Sequence, residues 1–190
     1  RLILNNYFSE SKDKTIGEEM DLSHGLPFAP QKMVIKAGDY SDCKDAQVVV
    51  ITAGIAQKPG QTRLELAEVN TKIMKQITES IMKSGFDGII IVASNPVDLM
   101  TYVVAEVSGL PKNRVIGSGT VLDTARLRYL MADYLKISSK NIHAYIMGEH
   151  GDSSFVPWDH AYVGCKKVKD VMKDNNHPME DLEKIHKGVV

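Results

Sequence analysis

Two short runs of β-branched residues, Gln47-Val48-Val49-Val50-Ile51-Thr52 and Gly88-Ile89-Ile90-Ile91-Val92-Ala93, stand on either side of a longer amphipathic stretch. No other feature of the chain constrains its fold as much. Runs that are apolar on both faces are expected as central strands of a parallel sheet, with helices covering both sides. Between them, Leu66, Val69, Ile73, Ile77 and Ile81 recur at helical spacing, Thr62-Arg63-Leu64-Glu65 has the spacing of a capping box, and Gly85 is the natural stop. A second unit follows. Pro96 suits a first helical position, the helix runs through Tyr102 to Val107, and Gly109-Leu110-Pro111 ends it. A strand at 114–117, a helix at 122–135 and a strand at 141–147 complete the pattern. Alternating strands and helices specify an α/β fold. The last forty residues change character: 166–178 reads as polar and turn-rich, and 179–190 as a helix cut off at the chain end.

Composition narrows the function classes. The chain has 190 residues, enough for one domain or one and a fraction, and 43% of them are hydrophobic. Its 23 basic and 24 acidic side chains leave a net charge of −1 with no basic block, which argues against a nucleic-acid or anionic-membrane surface. The longest apolar run, 89–93, is far short of the roughly 20 residues of a transmembrane helix. The first six residues carry neither a signal core nor a cleavage site, and the two cysteines cannot form a disulfide framework, so a cytoplasmic location is expected. No metal-ligand spacing is present, and none of the six histidines is paired for metal binding.

In open parallel sheets, ligands sit beyond the carboxyl ends of the strands, which directs attention to the segments 53–62, 94–98 and 148–153. In the first, Gln57-Lys58-Pro59-Gly60-Gln61-Thr62-Arg63 has the polar make-up of a lid, and Arg63 could meet an anion; a solvated connection is the other reading. In the second, Asn95 presents an amide at a strand end beside a helix N-terminus. In the third, Gly148-Glu149-His150-Gly151 holds a histidine between glycines, suited to proton donation near neutral pH, or else simply a hydrogen-bonded loop histidine. On the 122–135 helix, Asp123 and Arg126 are three apart and share a face, whereas Arg128 points about 140° away from Asp123. Arg126 can clamp a carboxylate with two parallel hydrogen bonds, and Asp123 can orient His150 and stabilise its charged form; an i,i+3 ion pair in solvent is the alternative.

Taken together, Thr52-Ala53-Gly54 with 57–63, Ser94-Asn95-Pro96-Val97-Asp98, Leu122-Asp123-Thr124-Ala125-Arg126 and Gly148-Glu149-His150-Gly151-Asp152-Ser153 closely resemble the bacterial L-lactate dehydrogenases, from about residue 14 to 153 and more loosely beyond. The resemblance implies a Rossmann-type doubly wound parallel sheet at 1–118, a partial NAD-binding domain, and part of an α+β substrate domain at 119–190. It implies reversible reduction of pyruvate to L-lactate with NADH. His150 is then the proton donor and acceptor, Asp123 its orienting partner, and Arg63 the group that polarises the carbonyl. Gln57, Asn95, Pro96, Val97, Asp98, Thr124, Ala125 and Arg126 line the substrate. Ser9, Glu10, Lys14, Tyr40, Ala53, Gly54, Ile55, Ala93, Ser94 and Asn95 contact NAD. Gln57 is the discriminating position: malate dehydrogenases carry an Arg there, and burying a diacid opposite a neutral Gln would leave an uncompensated charge, a cost of several kcal/mol on the order of buried-ion penalties. Arg128 and His143 match a fructose 1,6-bisphosphate pair at a subunit interface, which implies an allosteric homotetramer.

The chain departs from that pattern in three places. No glycine-rich phosphate loop precedes the first strand here, Ser9 with Glu10 beside it stands where the family has a ribose-binding Asp, and the last substrate-domain helices have no counterpart in this sequence. Two other readings follow: a malate dehydrogenase, or a catalytically dead relative serving in binding or assembly.

Overall fold

The computed structural model describes residues 2–5, 12–55, 60 and 63–189, with only the backbone at Arg63 and Leu64. The chain divides into two compact units, Arg1–Gly117 and Ser118–Val190.

In the first unit, strand β1 (Leu2–Leu4) leads through helix α1 (Lys12–His24) to β2 (Ile35–Ala37), which pairs with β1 in parallel. Strand β3 (Val48–Ile51) leads through α2 (Arg63–Lys83) to β4 (Ile89–Val92), and then through α3 (Val97–Ser108) to β5 (Val115–Gly117). These three form a second parallel ladder in the order β3-β4-β5. In a doubly wound sheet of order 3-2-1-4-5-6 the first strand lies between the second and the fourth. The pair and the triplet seen here correspond to the 3-2 and 4-5-6 parts of that order.

The register aligns Val49 with Ile90 and Ile51 with Val92, and Ile90 in turn with Val115. That face is buried under Ile73, Met74, Ile77 and Ile81 of α2 and Met100 and Val104 of α3. The opposite face corrects the expectation of a strand covered on both sides. Val48, Val50, Ile89 and Ile116 are exposed there, because α2 and α3 both pack on the other face. The seam of α2 is also displaced from the sequence reading. Val69 lies at its exposed margin, while Asn70 and Thr78 are buried; Thr78 is satisfied by the Met74 carbonyl, to which its hydroxyl donates at 2.7 Å. Thr62, the expected cap, lies outside the described residues. Pro96 caps α3 rather than opening it, and Gly85 and Gly109 end α2 and α3 with φ of 85° and 64°, in the left-handed region that favours glycine.

The second unit is built on α4 (Val121–Leu135), followed by β6 (Ile142–His143), the hairpin β7 (Tyr162–Val163) and β8 (Lys166–Lys167), α5 (Val168–Asp174) and α6 (Glu180–Lys187). Strands β6, β7 and β8 are antiparallel. The expected strand at 141–147 is laddered only at Ile142 and His143; beyond them burial still alternates, with Ala144 and Ile146 inside and Tyr145 and Met147 outside. Two further corrections concern 166–187. The stretch read as turns contains β8 and α5, which buries Val168 and Met172, four apart on one helical face, and α6 ends at Lys187. The Tyr134 hydroxyl donates to Asp181 of α6 at 2.7 Å, and hydrogen bonds from Lys184 and Tyr134 hold the Asp181 carboxyl below the usual carboxylate range.

Leu127 of α4 is fully buried in the core of this unit with Met131, Ile142, Ala144 and Val168. Leu127→Ala is expected to lower stability by about 2–5 kcal/mol, measured by urea unfolding, since it removes apolar contacts and leaves a cavity.

Candidate functional site

Asp123 lies in the first turn of α4, where a carboxylate is favoured by the unpaired N–H groups of the helix start. It is 6% exposed, and a buried carboxylate needs partners. It has two. His150 Nδ1 stands 2.6 Å from Asp123 Oδ2, and Arg126 Nη1 stands 3.6 Å from Oδ1. An ionised carboxylate can only accept, so Nδ1 carries the proton and donates. Arg126 is half-exposed.

His150 is held by a closed loop. Met147 and Phe155 donate to each other's carbonyls at 2.9 and 3.0 Å, closing the neck. Gly148 turns the chain at φ 93°, the Ser154 amide donates to the Gly151 carbonyl, and the Ser153 hydroxyl donates to Glu149. The loop is fastened to α4 as well: the Thr120 hydroxyl donates to the Ile146 carbonyl at 2.6 Å, and the Ile146 amide donates to Thr124 Oγ1 at 3.0 Å. Thr124 thus has a structural partner; Ala125 is exposed beside it.

Arg128 faces elsewhere. Its Nε donates to the Ala144 carbonyl at 3.1 Å and its guanidinium lies over the Tyr145 ring, 4.5 Å from the centroid. His143 and Tyr145 are two apart in extended chain and both exposed, so they share a face.

In the first unit, the carboxyl ends of β3 and β4 are joined by a residue the sequence reading passed over. Asn70 of α2, 3% exposed, accepts from the Ile55 amide at 2.9 Å and donates to the Asn95 carbonyl at 3.1 Å. The one signal in the sequence was an amide on an otherwise apolar helical face. Ser94 is buried and its hydroxyl reaches the Ile51 carbonyl, while Asn95, Pro96 and Asp98 are exposed. Val97 is 3% exposed and belongs to the interior, which leaves only its backbone for a ligand. Tyr40 packs against the core of this unit, and Lys14 is exposed on α1. Ser9, Glu10 and Gln57 lie outside the described residues, as does the side chain of Arg63, the first residue of α2.

Residues 6–117 match the profile of the lactate/malate dehydrogenase NAD binding domain, and residues 120–189 that of the lactate/malate dehydrogenase alpha/beta C-terminal domain. The chain belongs to the lactate/malate dehydrogenase family. Within it, the chain is 56% identical over 177 residues to L-lactate dehydrogenase 2 of Bacillus cereus, a match that takes in 93% of this chain and 56% of that protein. It therefore spans little more than half the length of the curated relatives it matches. Among solved structures, a lactate dehydrogenase from a Medee basin deep-sea metagenome library superimposes with TM-score 0.93 at 56% identity, covering 99% of this chain and 59% of the other. The malate dehydrogenase of Aeropyrum pernix superimposes with TM-score 0.87 at 32% identity, covering 100% and 59%.

The residues present fit the NAD for which the family's N-terminal domain is named. Ala53 is half-buried and Gly54 and Ala93 are exposed, so small residues bring backbone to the surface at the carboxyl ends of parallel strands, and Asn70 fixes the two loops that follow.

Proposed function

We propose that this chain is part of an NAD-dependent L-lactate dehydrogenase, with 1–118 a partial NAD-binding domain and 119–190 a partial substrate domain. The observation that carries the reading is the 2.6 Å contact between His150 Nδ1 and a buried Asp123. With Nδ1 given to Asp123, proton exchange with a substrate runs through Nε2: the imidazolium gives its Nε2 proton to the carbonyl oxygen of pyruvate and is left neutral. The nicotinamide of NADH, when bound, supplies the hydride to the carbonyl carbon. Asp123 stabilises the charged ring before transfer and keeps it in one orientation. Arg126 binds the substrate carboxylate, Arg63 polarises the carbonyl, Asn95 contacts substrate and nicotinamide ribose, and Gln57 selects a monoacid. The stacking of Arg128 on Tyr145, on the face that carries His143, supports a site there for fructose 1,6-bisphosphate in a cytoplasmic homotetramer.

Oxidation of NADH with pyruvate or oxaloacetate, in a polypeptide that extends this chain to the length of its relatives, tests the assignment. Pyruvate is expected to be preferred by at least about tenfold, the equivalent of 1.4 kcal/mol. A preference for oxaloacetate would move the chain to the malate branch of the family.

A further inference from the structure

Ile146 is 2% exposed, and both of its backbone polar groups are satisfied by side chains at the start of α4: its carbonyl by the hydroxyl of Thr120, the N-cap residue, and its amide by Thr124 Oγ1. The two threonines are four apart, one at the N-cap of the helix and the other at its first turn. Asp123 lies between them in sequence, and His150 follows Ile146 by four residues. The arrangement costs α4 a cap. Thr120 occupies its N-cap position, where a hydroxyl ordinarily accepts from the second or third helical amide, yet it makes no such bond and turns to Ile146 instead. Thr124, in the first turn, is likewise committed to the Ile146 amide, a bond that reaches out of its own helix.

We infer that Thr120 and Thr124 are positioning residues that set the separation of Asp123 and His150. This rests on the reading of Asp123 and His150 as the proton-exchanging pair. The neck of the His150 loop begins at Met147, the residue after the clamped one, so the clamp fixes the origin of the loop relative to the helix that carries the carboxylate. A hydrogen bond changes steeply with length and angle, so small slippage at Ile146 is felt at the 2.6 Å contact.

The test uses the polypeptide extended to the length of its relatives and needs neither cofactor nor turnover. The His150 Nδ1 proton, held against a carboxylate, gives a far-downfield NMR resonance, which Asp123→Asn and His150→Gln assign by abolishing it. Thr124→Val and Thr120→Val, which keep shape and remove the hydroxyl, are expected to lose that resonance or move it upfield while the circular dichroism and cooperative melting persist. Thr124→Ser is expected to restore it. A native resonance in either Val variant overturns the clamp, and so does unfolding of both, which would make the threonines elements of the fold alone. If Asp123→Asn leaves the resonance in place, it is the pair that fails, whatever the threonines do.

Discussion

Asp123→Asn is expected to lower kcat/KM for pyruvate by on the order of 10²- to 10⁴-fold, the range seen when the acid that orients a catalytic histidine is made neutral. Two losses combine. The Asn amide cannot stabilise the imidazolium that must form before the proton is given away. It can also offer N–H where the carboxylate only accepted, which favours the tautomer with Nδ1 unprotonated and the ring turned from its present contact. The substitution also removes Arg126's contact, so KM for pyruvate rises alongside the fall in kcat. Steady-state rates over pH, in the family-length polypeptide, check both. Rates within a factor of two of the parent at every pH would dismiss Asp123 as the orienting acid.

Arg126→Lys is expected to act mainly on binding. A guanidinium meets a carboxylate with two parallel N–H groups in one plane; an ammonium is a compact charge that meets one oxygen well. The loss is about 3 kcal/mol, or roughly 100-fold in kcat/KM, carried largely by KM. Because Arg126 is half-exposed, the change leaves the core untouched, and the melting temperature should hold. An unchanged KM would place the substrate carboxylate elsewhere.

The parts of the fold that local chemistry dictates were legible in the sequence. The strands β3 and β4 follow from unbroken β-branched runs, and the stops of α2 and α3 from Gly85 and Gly109, which take positive φ. The pair formed by His150 and Asp123 was legible too, since a histidine at a strand end and an acid on a neighbouring helix start are each visible in the chain. What escaped depends on partners rather than on neighbours. No local pattern says that both helices of the first unit choose one face of the sheet and leave Val48, Val50, Ile89 and Ile116 bare. Asn70 and Thr78 interrupt the apolar code of α2 because their polar atoms are satisfied across the fold or one turn back. Helix α5 was hidden because only Val168 and Met172 mark its buried face. Thr124 was read as a substrate contact; that its hydroxyl also accepts from the Ile146 amide is visible only once α4 and the 144–147 segment are in place.

The reciprocal bonds between Met147 and Phe155 give the loop its own clock. Those two amide protons can trade with deuterium only when the neck parts, so their exchange rates count openings of the loop that holds His150. In any variant that dulls the reaction, slow exchange at both positions would assign the defect to chemistry, and fast exchange would assign it to a loop that spends too much time ajar.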